Sequence, residues 1–271
     1  QFARQLLTSS GSNFRVPQVN FYRAIQGQKP RAIAKAVTLT FMGIRFDKLP
    51  TETQKKYEKI FSHLAYKSTA EWKEQIVYPD PEPFDTFKVK MPDGITLKIE
   101  ANSDPRQKFA DWLINENNPW FTKNIINRIW SWFFHYGIIH PPDDISHQNP
   151  PLNPELLKYL QTELVKSNYD IRHIFRLILN SATYQQSCIP KTDPAKAKKF
   201  FACYPLIRID AEILIDTLDT LLGPSDKYSS VIPEPYTFIP AEHKTITLAD
   251  GSITSQFLEM FGRPPRDTGL E

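Results

Sequence analysis

Residues 118–139, NPWFTKNIINRIWSWFFHYGII, constrain the fold more than any other stretch of the chain. They hold seven aromatic side chains in twenty-two residues. Asn118-Pro119 is a typical helix start, and on a helical wheel the large apolar residues cover about 180°. These residues are Phe121, Ile125, Ile126, Ile129, Trp130, Trp132 and Phe133. A sector this wide predicts a central helix, with its aromatic rings in the core of a helical domain.

The remaining sector of this helix, about 100° wide, is polar. Its members are Asn124, Asn127, Arg128, Ser131 and His135. A solvated face normally carries Glu and Lys, whereas Asn, Ser and His are indifferent helix formers. Three interpretations stay open. The groups are buried and bind the main chain of irregular segments such as 140–151 or 224–250, they form the polar wall of a ligand groove, or they are simply exposed.

Further candidates lie just after this helix and on a later one. Asp143 and Asp144 belong to the loop HPPDDISHQNPP, where they either supply a carboxylate acid or base or only cap turns and pair with Arg. Arg176 lies four residues from Arg172 on a predicted helix and is able to bind sulfate or carboxylate. The simpler alternative pairs one of these two arginines with Asp143, Asp144 or Glu212. No residue is assigned as catalytic, and the spacings predict no metal site.

Composition narrows the function classes. The net charge is +3 from 33 basic and 30 acidic residues, with no basic stripe, which does not indicate nucleic-acid binding. No apolar run reaches the roughly 20 residues of a membrane span. The chain has no phosphate-binding loop, nucleophile elbow or zinc-protease motif. Cys188 and Cys203 fit neither a metal knuckle nor a haem-attachment motif, and their spacing leaves a disulfide between them open.

The pattern along the chain predicts a mainly α, irregular helical domain with one small antiparallel β-hairpin and long Pro-rich loops. Residues 13–30 are expected to lie extended, and helices are expected over about 31–42 and through TETQKKYEKIFSHLAYK. The hairpin is predicted around Pro92-Asp93-Gly94. Helices then follow from Pro105, Pro119, Pro154, Asp170 and Asp210, with a short last one in TSQFLEMFG. Prolines 79, 81 and 83 mark the expected division into residues 1–83 and 84–271.

Several long stretches resemble a known pair of bacterial domains. LLTSSGSNFRVPQVNFYRA and LTFMGIR are similar to the end of the planctomycete-type domain of unknown function fifteen-forty-nine. The C-terminal companion of that domain is domain of unknown function fifteen-fifty-three. Four further stretches are similar to this companion: FADWLINENNPWFTKNIINRIWSWFFHYGIIHPPDDI, IRHIFRLILNSATYQQS, RIDAEILID and FGRPPRD. The family's recurrent residues fall at Asn118, Pro119, Asn127, Arg128, Gly137, Asp143, Asp144, Pro154, Leu179, Ser181, Tyr184, Arg208, Glu212, Gly262, Pro265 and Arg266.

The resemblance implies a context but no activity. Family members are typically large exported proteins of Planctomycetes and related bacteria, often encoded near polysaccharide-degradation genes. The chain is therefore expected to be part of a longer extracytoplasmic protein, periplasmic, cell-surface or secreted, and to stop inside its second domain. The resemblance implies no cofactor in this segment, although a c-type haem domain often precedes such domains elsewhere in the full-length protein.

Two function classes follow from these observations. The first is a non-catalytic helical module that binds a glycan or other domains of the same protein through Arg128, the Asp143-Asp144 loop and nearby aromatic rings. The second is an enzyme acting on a polysaccharide, a hydrolase or lyase, with Asp143 or Asp144 as acid or base. The sequence leans towards the first.

Overall fold

The computed structural model describes residues 1–223, 228, 239–240, 243–248, 253 and 255–263. The chain forms two compact units, residues 1–205 and residues 206–271. The described residues are mainly helical and include two small antiparallel sheets, which confirms the predicted fold class. The division predicted at residue 83 refers to the two family domains and stays a prediction.

The first unit begins with short helices. Their bounds, with the first strand, are α1 Phe2–Thr8, β1 Gly11–Ser12, α2 Asn20–Arg23, α3 Pro30–Val37 and α4 Thr51–Ile60. Helix α3 continues into a π-helical turn, Thr38–Met42, so the helix predicted over 31–42 is confirmed. Residues 13–30 were wrongly predicted to lie extended. They hold a 3-10 turn at Pro17–Val19 and helix α2, because winding the chain buries the Tyr22 ring and lets its hydroxyl donate to the Leu7 carbonyl.

A three-stranded antiparallel sheet is a feature that the sequence did not predict. Strand β3, Gln75–Pro79, lies between β1 and β2, Leu64–Ser68. The prediction that α4 extends through LAYK is wrong, since the helix ends at Ile60. The later residues instead pair with β3 from Leu64↔Pro79 to Ser68↔Gln75, and this tertiary pairing overrides the local helical period.

The C-terminal half of the first unit follows the predicted order closely. The predicted hairpin consists of β4 Phe87–Lys90 and β5 Thr96–Ile99. The helices that follow are α5 Pro105–Leu113, α6 Pro119–Phe134, α7 Pro154–Lys166, α8 Ile171–Leu179 and α9 Pro194–Lys199. Asp104, Asn118 and Asn153 each cap a helix whose first residue is proline, as their spacing predicts.

Helix α6 is central to the first unit, as predicted. Phe121 joins a core with α1–α5 and the hairpin, whereas Ile129 and Trp130 join a second core with α7 and α8. Trp132 was predicted to lie in the core sector, but 63% of it is exposed. The prediction fails because α6 packs between two separate cores, and Trp132 contributes to neither of them.

The second unit contains α10, Ala211–Leu222, and the short helix α11, Gln256–Met260. Ala211, Ile215 and Leu258 form its small described core. Both helices confirm the sequence prediction, and Gly262 follows α11 in a left-handed conformation at φ +88°. Most of the Pro-rich stretch 224–252 lies outside the described residues, as do Pro265 and Arg266.

Candidate functional site

The amide of Asn127 is fully buried and bonds only to main chain. Its Nδ2 donates to the Ile139 carbonyl at 2.9 Å and to the Pro142 carbonyl at 3.3 Å, and its Oδ1 accepts from the Ile139 amide at 2.8 Å. Gly137 makes this approach possible, because a Cβ there would lie 2.2 Å from the Ile139 carbonyl oxygen. Asn127 thus holds the chain directly after α6, which agrees with the structural interpretation of this polar face.

Asn124 and Arg128, on the same polar face, bind the helix to the π-helical turn. Asn124 Nδ2 donates to the Thr40 carbonyl at 2.7 Å, and Arg128 Nη2 donates to the Leu39 carbonyl at 3.0 Å. Arg128 also donates through Nε to Asn124 Oδ1 at 3.2 Å. The Leu39 carbonyl also accepts from the Gly43 amide at 3.1 Å, so the arginine adds a second donor to it, while Asn124 satisfies the Thr40 carbonyl.

Asp143 belongs to the same arrangement, because its Oδ1 lies 2.6 Å from Arg128 Nη2. Asp144 instead forms an ion pair of 2.6 Å with Lys48. The expectation that Arg172 or Arg176 pairs with Asp143 or Asp144 is therefore wrong. In the second unit, Glu212 pairs with Arg263 at 2.9 Å.

The other candidates do not join this arrangement. Ser131 donates to the Arg128 carbonyl within the helix. His135 is an exposed left-handed residue that ends α6, and Arg176 is exposed on α8. The structure thus brings together Asn124, Asn127, Arg128 and Asp143, with Asp144 next to them in the chain.

The segment that these residues hold forms one wall of a groove. Two main-chain hydrogen bonds also hold this segment. The Ile145 amide donates to the Gly43 carbonyl at 2.8 Å, and the Leu152 amide donates to the Ile138 carbonyl at 2.8 Å. The groove has a volume of about 870 Å³. Its other walls are residues 44–50 with α4, the β4–β5 turn and the first turns of α6. Of the candidate residues named from the sequence, Asp144 is the one in the groove lining.

The groove lining is markedly basic, a property that the sequence analysis missed. It contains five basic side chains, Arg45, Lys48, Lys56, Lys90 and Lys123, against the two carboxylates of Asp93 and Asp144. They come from separate segments that only the fold brings together, so no run of charge in the sequence signals them. Lys123 is half-buried on α6, and burial lowers the pKa of its ammonium group.

Both carboxylates in the groove are already engaged within the protein. Asp144 pairs with Lys48, while Asp93 Oδ2 accepts from Trp112 Nε1 at 2.7 Å. Asp93 Oδ1 also accepts from the Ile95 amide at 3.0 Å and so fixes the hairpin turn. Trp120 adds an aromatic ring to the lining. The volume of the groove lies within the roughly 300–1,000 Å³ typical of small-molecule sites.

Other site types find little support in the described part of the chain. Among the residues described, no three or more His, Cys, Asp or Glu side chains are grouped closely enough to hold a metal ion. Cys188 and Cys203 are both free thiols. Within the same residues, none of the helices combines the length and the apolar character needed to cross a membrane.

The fold and the groove define a mainly helical domain with a basic, partly apolar ligand-sized cleft. The family model described as "PSD1: Protein of unknown function (DUF1553)" matches residues 105–269, more than half of the chain. The chain therefore belongs to this family. Comparisons with curated proteins and with solved structures found no match.

Proposed function

We propose that this chain is a non-catalytic glycan-binding module of a larger extracytoplasmic bacterial protein, and that the groove holds the glycan. The observation that carries the proposal is the groove, because it combines the ring of Trp120 with polar and basic side chains beside a wall that hydrogen bonds hold in place. Aromatic rings offer sugars a flat apolar face, and surrounding polar groups fix their orientation. Asn127 and Arg128 do not line the groove, but they support it by holding the wall at residues 139–145.

The proposed location rests on the resemblance of this chain to planctomycete-type proteins. It includes the proposal that the segment before residue 84 is the end of domain of unknown function fifteen-forty-nine. Exported proteins of this type are often encoded near polysaccharide-degradation genes, which supports a glycan as ligand. Any c-type haem would lie in another part of such a protein.

The arrangement of carboxylates favours binding over catalysis. Glycoside hydrolysis uses two carboxyl groups that flank the scissile bond, as acid and as nucleophile or base. In the groove, Asp144 is paired with Lys48 and Asp93 accepts hydrogen bonds from Trp112 and Ile95. Asp143 is not part of the lining and pairs with Arg128. These carboxylates hold the protein's own structure together.

Two tryptophans on the same helix provide the test. Trp120→Leu removes the ring from the groove but keeps an apolar side chain for packing, whereas Trp132→Leu changes an exposed ring that does not line the groove. A glycan array identifies ligands of the unaltered chain, and calorimetric titration measures their affinity for each variant. We expect Trp120→Leu to weaken binding about tenfold, a loss of one aromatic contact, and Trp132→Leu to leave it unchanged.

Thermal unfolding of both variants separates lost binding from lost folding. Equal affinities for the unaltered chain and a folded Trp120→Leu variant would remove the groove from the proposal. Release of shortened sugars from the bound glycan would contradict a non-catalytic role and favour the polysaccharide-active enzyme.

A further inference from the structure

We infer that the groove selects anionic polysaccharides, and that Arg45, Lys56, Lys90 and Lys123 bind their sulfate or carboxylate groups. This inference rests on the proposed function and names the ligand class of the same site. It starts from the distribution of charge. Basic and acidic residues nearly balance over the whole chain, at 33 and 30, whereas the groove lining has five basic residues for two acidic ones.

Most of this excess charge is not neutralised by ion pairs among the described residues. Lys48 is paired with Asp144, but within the described residues Arg45, Lys56, Lys90 and Lys123 form no ion pair. Elsewhere in the same unit, cations do find partners. Arg31 pairs with Asp47 and Glu58, and Lys98 pairs with Glu100. Exposed lysines such as Lys67 and Lys158 also lack an ion pair among the described residues, so what distinguishes the groove is that four such cations line one cavity.

The position of these four cations strengthens their effect on a ligand. Arg45 precedes α4, Lys56 lies on α4, Lys90 ends β4 and Lys123 lies on α6, so charge converges on one cavity from four segments. Apolar walls concentrate the field of such a cleft, because they lower the local dielectric constant. Lys123 is half-buried and gains most from an anion, since it has already lost part of its hydration.

The lining chemistry also favours a polysaccharide over a nucleic acid. Single-stranded nucleic acids are held by several aromatic side chains on which successive bases stack. In the described lining, Trp120 is the one aromatic residue apart from His147, and five of the twenty-two lining residues are prolines. One aromatic ring among separated cations suits a chain of sugars whose acidic groups recur along its length.

Matched pairs of polysaccharides test the inference. A sulfated polysaccharide is compared with its chemically desulfated form, and polygalacturonate with its methyl ester, using the whole chain and calorimetric titration. We expect each anionic form that binds to do so at least about tenfold more tightly than its neutral counterpart. We also expect this binding to weaken between about 0.1 M and about 1 M salt, where the screening length falls from about 10 Å to about 3 Å.

A charge-reversal variant assigns the effect to the groove. Lys56→Glu with Lys90→Glu changes two groove cations, and Lys67→Glu with Lys158→Glu makes the same net change at exposed positions outside the lining. We expect the first variant to lose at least about tenfold in affinity for the anionic form and the second to lose less than about twofold. Thermal unfolding verifies that both variants are folded.

The outcomes separate this inference from the proposed function. Equal binding of the charged and neutral members of each pair would overturn the anionic selectivity and leave glycan binding intact. Equal losses in the two charge-reversal variants would likewise overturn the assignment to the groove. Failure to bind any polysaccharide would overturn both, as would equally tight binding of inorganic polyphosphate, since the groove would then recognise charge alone. The sulfate and carboxylate arms identify which acidic group is recognised.

Discussion

Asn127 shows how one side chain fixes a chain segment that has no regular secondary structure. Its amide satisfies both main-chain groups of Ile139 and reaches the Pro142 carbonyl, all in a fully buried setting. An unpaired buried polar group costs about 1–3 kcal/mol of stability, and an apolar residue here would leave the Ile139 amide and carbonyl without this partner. This explains why an asparagine lies in the middle of a helix that is rich in aromatic residues.

We expect Asn127→Ala to lower the free energy of unfolding by about 3 kcal/mol, because it leaves the Ile139 amide and carbonyl unpaired. Ser131→Ala, one helical turn later, removes a hydroxyl that bonds only within α6 and should cost about 0.5 kcal/mol or less. Urea unfolding measures both values. Losses of equal size would mean that the Asn127 amide has no special role in holding the loop.

At the scale of elements, the groove wall depends on the close approach of three pieces of chain. Gly43 directly follows the π-helical turn, its φ of +65° suits glycine, and its carbonyl accepts from the Ile145 amide. A Cβ on Gly43 would lie 2.7 Å from Asn124 Oδ1 and 2.8 Å from Ile145 Cδ1. The turn, α6 and the loop therefore meet where only glycine fits.

Gly43→Ala should destabilise the protein by about 3 kcal/mol, the sum of backbone strain and overpacking. Gly94→Ala in the hairpin turn is the matched control, since Gly94 also has a positive φ, +87°, but nothing lies within 4 Å of its added Cβ. It should cost about 1 kcal/mol from backbone strain alone. Chemical denaturation compares the two, and a Gly43→Ala cost no larger than that of Gly94→Ala would argue against a tight junction.

At the scale of the whole molecule, the core of the first unit makes the protein sensitive to alkali. Burial raises the pKa of the Tyr22 and Tyr57 hydroxyls, and it raises the pKa of Tyr66 from 10.0 to about 12. Each folded tyrosine keeps its proton at a pH where the unfolded chain has lost it. The resulting stabilisation is complete below pH 10 and declines as the pH rises, for Tyr66 across the window from about 10 to 12.

We expect the free energy of unfolding to fall with pH above 10. The slope of this fall is set by the number of protons released on unfolding, and Tyr66→Phe should reduce that number by up to one. At neutral pH the substitution should be neutral or slightly stabilising, because the buried Tyr66 hydroxyl has no hydrogen-bond partner among the described residues. Tyr159→Phe, at a residue that is 52% exposed, is the control. Denaturant titrations at a series of alkaline pH values give the slopes, and identical slopes for Tyr66→Phe and the unaltered chain would contradict the assignment.

The sequence by itself determined helices α3 to α8, α10 and α11, the hairpin and the polar face of α6, but not α1, α2 or α9. Their signals are local: Asn or Asp caps next to proline, a turn at Asp93-Gly94, and helical periodicity act within a few residues. The sequence also identified Asn127 and Arg128 as candidate site residues, because asparagine and arginine are unusual between the aromatic residues of a helix.

Only the tertiary structure decided the groove, the three-stranded sheet and the exposure of Trp132. The sheet pairs Gly11 with Val77, and the groove collects Arg45, Lys90 and Lys123 from distant segments, so no local pattern contains either feature. Likewise, Asp143 and Asp144 follow each other in the chain but pair with Arg128 and Lys48 respectively. Backbone propensity acts over neighbouring residues, whereas ion pairs and cavities depend on which distant surfaces the packing of α6 brings together.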